Sequence, residues 1–130
     1  MQQIIPRILA ADGYAAAQYY QGVFGGEITE LFHAADGEGC AHAALAIREA
    51  VMLYFADAQD IGAQGIRLCL ALHDPNETRE LFDALSDGGT VIAPLASTDW
   101  AALTGSVRDR YGVEWEFNCG DGVDVVYRKG

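Results

Sequence analysis

Two carboxylates on one face of a short strand are the residues best suited to chemistry. Residues 113–118 read Val-Glu-Trp-Glu-Phe-Asn, in which apolar and polar side chains strictly alternate. Because successive side chains of a strand point to opposite faces, Glu114 and Glu116 share the face opposite Trp115 and Phe117. Carboxylates in this arrangement can bind a metal, transfer protons, or form ion pairs that position a ligand.

A histidine in another predicted strand is the second candidate. Alternation over residues 41–47 places His42 with Ala44 and Ala46, opposite the more apolar set that includes Leu45. Two interpretations stay open for this side chain. It is either a neutral histidine hydrogen-bonded to a neighbouring backbone group, or a residue that contacts a ligand or acts as an acid or base.

The rest of the chain carries no complete catalytic motif. A GxSxG nucleophile motif, a phosphate-binding glycine loop and a dinucleotide fingerprint are all missing from the sequence. The three cysteines, Cys40, Cys69 and Cys119, are odd in number and widely spaced, which favours neither a disulfide framework nor a CxxC metal site. Function therefore has to be sought in the strands that carry Glu116 and His42.

Composition limits the class of partner. The 130-residue chain has the length of one domain and a formal net charge of -11. A surface with this charge repels phosphates, so we expect no nucleic-acid partner. No apolar run approaches the roughly 20 residues that a membrane-spanning helix needs. We therefore expect no membrane partner and a cytoplasmic location.

One pattern of elements occurs twice along the chain. Each half has an apolar run, a helix that begins after an aspartate, and three strand-like runs, which predicts two βαβββ modules. Asp74 follows Asp12 by 62 residues, whereas Gly88 follows Gly25 by 63, which indicates one inserted residue in the second half. We place module 1 at about 1–57, a linker at 58–65, module 2 at about 66–120 and a C-terminal tail at 121–130.

The offset of 63 residues, carried forward, predicts how the last strands of the two modules correspond. It places Leu53 over Glu116 and Tyr54 over Phe117. On this alignment Tyr54 packs under the first helix, and Leu53 and Phe55 lie on the opposite face of the strand.

Four segments of the chain resemble the vicinal oxygen chelate superfamily of glyoxalases, bleomycin resistance proteins and extradiol dioxygenases, and within it the PhnB-like group. They are residues 15–27 (AAAQYYQGVFGGE), 41–45 (AHAAL), 81–90 (LFDALSDGGT), and 98–100 (TDW) with 107–116 (VRDRYGVEWE). The resemblance implies a single α+β domain over residues 1–130. Its two βαβββ modules, related by internal duplication, would form mixed sheets that make a cup.

The same resemblance implies where a metal would bind. Metal-dependent members place one ligand on the first and one on the last strand of each module, and we assign these positions to Ile5, Leu53, Arg67 and Glu116. Only Glu116 among them can bind a divalent cation, so we expect neither a metal nor another cofactor. Instead, we expect Arg67 to pair with Glu116, with bidentate geometry if the side chains face each other. Glu114 is expected at the wetter rim.

The function that the resemblance implies is metal-free binding of a small organic molecule by a homodimer. The expected ligand-binding residues are His42, Leu53, Phe55, Arg67, Trp100, Glu114 and Glu116. Trp100, in the long connection of module 2, would provide a flat wall for the ligand. An alternative is a glyoxalase-like lyase, isomerase or transferase, with or without a metal, in which His42 or Glu116 is the catalytic acid or base. A third is an interaction unit whose cup is filled by its own side chains.

Overall fold

The computed structural model describes residues 3–49, 51–59, 65–98 and 102–120. The chain divides into two compact units, Met1–Gln64 and Gly65–Gly130. Most of the predicted linker and the whole predicted tail lie outside the described residues. Within the part of the chain that the structure describes, no helix has the length and apolar character needed to cross a membrane.

The first unit is a four-stranded mixed sheet with one helix. The strand order is β1-β4-β3-β2, in which β1 pairs with β4 in parallel and the other neighbours are antiparallel. Its elements are β1 Arg7–Ala10, α1 Gly13–Phe24, β2 Glu27–His33, β3 Cys40–Arg48 and β4 Val51–Asp57. This is the predicted βαβββ order.

The second unit repeats that topology. Its strand order is β5-β8-β7-β6, again with one parallel pair, β5 with β8. Its elements are β5 Leu68–Leu72, α2 Pro75–Ser86, β6 Thr90–Ala96, β7 Leu103–Arg108 and β8 Glu114–Cys119. The predicted α+β class and the internal duplication of the two modules are both confirmed.

Both helices begin at an aspartate, as the sequence predicts. The carboxylate of Asp12 accepts a hydrogen bond from the backbone N–H of Ala15, and that of Asp74 accepts one from Asn76. Pro75 occupies the first turn of α2, where the missing N–H costs nothing. These caps satisfy N–H groups that the helices themselves leave unpaired, so they define where each helix starts.

Helix α1 packs on one face of the first sheet. Tyr20 is fully buried, and its ring stacks on Phe55 of β4 at a centroid distance of 5.7 Å. Ala43 and Leu45 of β3 are buried on the same face, because they pair with Phe55 and Leu53. The apolar core of this unit therefore lies between α1 and the central strands β3 and β4.

Helix α2 packs on the second sheet in the same way. Phe82 meets Phe117 of β8 edge to face at 5.2 Å. Trp115, also on this face, is buried and donates its indole N–H to the buried carboxylate of Asp109 at 2.8 Å. That carboxylate also accepts the backbone N–H groups of Tyr111 and Val113, which holds the turn between β7 and β8.

The predicted face of β4 was wrong. Leu53 and Phe55 retain 5% and 0% of their exposure, and Phe55 lies under α1, whereas Tyr54 lies on the opposite face. The cause is the register of the repeat. Phe55 pairs with Ala43 in the first unit, and Phe117 pairs with Gly105 in the second. Phe55 therefore corresponds to Phe117, and the offset between equivalent residues of these strands is 62, although it is 63 at the helix ends. A shift of one residue exchanges the two faces of a strand.

We expect Phe55→Ala to lower the free energy of unfolding far more than Tyr54→Ala. The first change removes a fully buried ring under α1, which costs about 3–5 kcal/mol. The second removes a half-buried ring on the other face and should cost about 1 kcal/mol. Urea denaturation of both variants measures the difference, and equal or reversed losses would contradict this assignment of faces.

Candidate functional site

Each sheet has an open face, which is the face opposite its helix. The first open face carries Arg7, Glu30, Phe32, His42 and Tyr54. The second carries Ser106, Arg108, Glu114, Glu116 and Asn118. Because the core residues of the same strands point toward the helices, the polar groups of both sheets collect on these faces.

Arg67 joins the two carboxylates of the second open face. Its Nε donates to Oε1 of Glu114 at 2.9 Å, and its Nη1 donates to Oε1 of Glu116 at 3.1 Å. The predicted ion pair between Arg67 and Glu116 is present. Its geometry differs from the prediction, because the guanidinium group divides its donors between two carboxylates and does not bind one of them in bidentate fashion.

Glu114 is the more enclosed of the two carboxylates, so its placement at the wetter rim was wrong. Its side chain is 24% exposed, against 49% for Glu116. Arg108, its cross-strand partner, donates from both Nε and Nη2 to Oε2 of Glu114, the shorter contact being 2.6 Å. Hydrogen bonds from Arg108 and then Arg67 hold the pKa of Glu114 below its ordinary value. Glu114 is thus an ionised link between two arginines.

A cavity lies beside Glu116 on the second sheet. Its lining residues are Ala93, Thr104, Gly105, Ser106, Glu116, Phe117 and Asn118, and its volume is about 270 Å³. The Oδ1 atom of Asn118 is buried and has no hydrogen-bond partner among the described residues. A buried polar atom without a partner is costly, so the Asn118 amide is a group that a ligand or water could satisfy.

On the first open face, His42 lies between a cation and a carboxylate. Its Nδ1 is 3.2 Å from Nη1 of Arg7, and its Nε2 is 3.0 Å from Oε1 of Glu30. An arginine can only donate, so Nδ1 must be the acceptor and Nε2 must carry the proton that is donated to Glu30. The network therefore requires the neutral Nε2–H tautomer of His42.

Aromatic rings complete this cluster. Tyr54 meets the His42 ring edge to face at 4.7 Å, and Phe32 lies 5.9 Å from the same ring. The guanidinium carbon of Arg7 lies 5.2 Å from the centre of the Tyr54 ring, within the range of a cation–π contact. His42 thus bonds to side chains of β1 and β2, and the interpretation that it bonds to a neighbouring backbone group does not apply.

The structure brings together some of the predicted site residues and separates others. Arg67, Glu114 and Glu116 meet on the second open face, and His42 lies on the first. Leu53 and Phe55 are core residues under α1 and do not line an open face. Trp100 lies outside the described residues. The sequence analysis missed five residues of the open faces, which are Arg7, Glu30, Tyr54, Arg108 and Asn118. An offset kept at 62 would have identified Tyr54 as the residue equivalent to Glu116 in the repeat.

The corrected register also changes which residues occupy the four positions that the superfamily resemblance assigns to metal ligands. The first and last strands meet at Arg7 with Tyr54 in the first sheet, and at Cys69 with Glu116 in the second. Leu53 faces the helix, and Ile5 precedes β1. Burial and then the charge of Glu116 raise the pKa of the Cys69 thiol, which disfavours the thiolate that a metal needs. Among the described residues, no three His, Cys, Asp or Glu side chains are grouped to hold a metal.

The chain belongs to the Glyoxalase/Bleomycin resistance protein/Dioxygenase superfamily, whose family model matches residues 5–117. It is similar to the crystal structure of protein PA1353 from Pseudomonas aeruginosa, with 29% identity, a TM-score of 0.81, and coverage of 92% of this chain and 98% of that chain. The predicted superfamily is therefore confirmed.

Two further structures share the fold. A putative 3-demethylubiquinone-9 3-methyltransferase, PhnB protein, from Bacillus cereus is 21% identical, with a TM-score of 0.76 and coverage of 92% of this chain and 100% of that chain. A glyoxalase-related enzyme from Fulvimarina pelagi is 18% identical, with a TM-score of 0.63 and coverage of 92% and 89%. No curated protein sequence matches the chain.

We expect Glu114→Gln to lower stability in a pH-dependent way. The folded-state pKa of Glu114 is depressed, so its contribution is fully present above the ordinary value of 4.5 and is lost as the pH falls through the lower folded value. Urea denaturation of the parent chain and the variant across this pH range measures the gap between their free energies of unfolding. Glu80→Gln, on an exposed position of α2, is the control and should show a smaller gap. A gap for Glu114→Gln that stays constant with pH would contradict the proposed origin.

Proposed function

We propose that this chain binds a small organic molecule without a metal, using the open faces of its sheets. The observation that carries the proposal is the bridge from Arg67 to Glu114 and Glu116. A carboxylate at the position where a metal-dependent relative would hold its ion is here neutralised by a protein cation. A guanidinium group cannot bind a metal, and its charge opposes the approach of a cation.

The chemistry beside Glu116 supports a ligand with both polar and apolar parts. The cavity combines the carboxylate of Glu116, the hydroxyl groups of Thr104 and Ser106 and the amide of Asn118 with the apolar surface of Ala93. Small-molecule sites typically combine apolar walls with a few polar groups that orient the ligand. A cavity of about 270 Å³ on this one sheet suits part of a modest-sized molecule.

Membership of the superfamily does not choose between binding and catalysis, because its description spans glyoxalases, resistance proteins and dioxygenases. The second candidate is an enzyme in which His42 or Glu116 transfers protons. The contact between His42 and Glu30 favours it, since a carboxylate that accepts one ring N–H orients the imidazole. Against it, Arg7 occupies the Nδ1 lone pair, and would have to move before that atom could accept a proton.

We also propose that the chain is a cytoplasmic homodimer. The edge strands β2 and β6 expose apolar side chains, including Leu31 at 36% and Val91 at 44%, and exposed sheet edges favour association. The three cysteines of the described residues are free thiols, as a reducing compartment would maintain them. Sedimentation equilibrium of the pure chain tests the dimer directly.

A thermal-shift screen of metabolites and antibiotics is expected to find compounds that raise the unfolding temperature of the chain. Binding to the folded state must stabilise it by mass action. We expect the shift caused by a compound bound at the second open face to fall in Glu116→Gln. Glu80→Gln, which removes the same charge from α2, should retain it. A screen with no stabilising compound, or equal shifts in both variants for every hit, would contradict the proposal.

We expect chain purified without an affinity tag to contain far less than one metal ion per molecule. The reason is the pairing of Glu116 with Arg67, which leaves the carboxylate a poor cation ligand. Elemental analysis by mass spectrometry measures bound metal, and a chelator should leave the unfolding temperature unchanged. Near-stoichiometric zinc, nickel or iron would overturn the metal-free assignment.

A further inference from the structure

The arginines of the described residues differ in how their charge is balanced. Arg67, Arg108 and Arg110 each form an ion pair with a carboxylate. Arg7 has no carboxylate within ion-pair distance among the described residues, although the whole chain carries 19 acidic against 8 basic residues. Arg48 and Arg79 likewise form no ion pair among the described residues, so Arg7 is distinguished by its contacts with His42 and Tyr54 on the first open face.

The guanidinium group of Arg7 is nevertheless held in place. Arg7 is the register partner of Tyr54 on the neighbouring strand, and its guanidinium carbon lies over the Tyr54 ring at 5.2 Å. Its Nη1 donates to Nδ1 of His42 at 3.2 Å. Two contacts from two strands thus position the group, which lowers the conformational entropy that binding a ligand would cost.

The imidazole of His42 lies between Arg7 and the carboxylate of Glu30. Glu30 bonds to Nε2 of the imidazole, on the opposite side of the ring from the nitrogen that accepts from Arg7. The arginine therefore gains a neutral acceptor from His42 without gaining a negative charge. Of its five N–H donors, the described residues provide a hydrogen-bond partner for one and for none of the other four.

We propose that Arg7 binds an oxyanion group of the small molecule, either a carboxylate or a phosphoryl group. The proposal rests on the proposed function and assigns a chemical class to its ligand. The planar fork of a guanidinium group matches both oxyanions with two parallel hydrogen bonds. Phe32, 59% exposed, and the ring of Tyr54 lie beside the same cluster and offer apolar contacts for the body of the ligand. The ligand class is therefore a small aromatic or apolar anion.

The second open face differs in this respect. Arg67 and Arg108 are paired with the carboxylates of Glu114 and Glu116. The groups beside the cavity are then the exposed carboxylate of Glu116 and uncharged polar side chains. An anion would meet the negative charge of Glu116 there. The two faces thus favour different chemical groups, and an oxyanion is better matched to the face that carries Arg7.

The test is a nuclear magnetic resonance titration that follows the Nε–H signals of the arginines at constant ionic strength. The probes are benzoate, phenyl phosphate and neutral benzyl alcohol. We expect benzoate or phenyl phosphate to shift the Arg7 signal to saturation, and to bind about tenfold more tightly than benzyl alcohol, since charge-assisted bonds are the strong ones. The preferred anion distinguishes the two oxyanion sources.

Three variants separate the possible causes of binding. Arg7→Gln should weaken anion binding about tenfold, whereas Arg79→Gln, which removes the same charge from an exposed position of α2, should leave it unchanged. Arg7→Lys keeps the charge without the fork, and should bind more weakly than the parent chain. Equal affinity in Arg7→Gln, an unmoved Arg7 signal, or equal affinity for benzyl alcohol would overturn the oxyanion site.

The outcome is distinguishable from a failure of the proposed function. Screening hits that bind Arg7→Gln as tightly as the parent chain would preserve small-molecule binding and overturn the oxyanion site. Conversely, aromatic anions that saturate the Arg7 signal would support the site even where no metabolite or antibiotic of the screen raises the unfolding temperature.

Discussion

Aromatic packing under the two helices is the constraint on which the rest of the structure depends. Phe55 packs against Tyr20, and Phe117 packs against Phe82. In each last strand, one alternate set of side chains is therefore buried under a helix. Because side chains of a strand alternate between its two faces, Tyr54 and Glu116 must each lie on the face of their sheet that is opposite the helix. The chemistry of the chain is therefore a consequence of where its rings are buried.

The two modules share a topology but balance charge differently. On the second open face, two arginines neutralise the pair of carboxylates on β8. On the first, the equivalent of Glu116 is Tyr54, an uncharged ring, and the cation that lies over it has no carboxylate of its own among the described residues. Duplication has kept the backbone pattern while the open faces have acquired distinct chemistry, as is common where sites are built on a shared fold.

Ion pairing gives Glu116, which the superfamily resemblance predicts at a metal-ligand position, a protein cation as its partner. A carboxylate near a guanidinium group stays ionised and oriented without any bound ion. On the second open face, Nη1 of Arg67 donates to Oε1 of Glu116 and so orients that carboxylate. On the first open face, both ring nitrogens of His42 are likewise engaged, one by Arg7 and the other by Glu30.

The sequence by itself determined the element order, the aspartate caps at Asp12 and Asp74, the alternation that puts Glu114 with Glu116, and the pairing of Arg67 with Glu116. The first three features depend on local patterns, and the pairing of Arg67 with Glu116 depends on the positions that the superfamily resemblance assigned to them. Only the tertiary structure decided that Phe55 and not Tyr54 faces the helix, that Glu114 is the more enclosed carboxylate, and that His42 meets Arg7 and Glu30 from other strands. The physical reason is register: a change of one residue in the repeat exchanges the faces of a strand, and pairing between distant strands resolves it.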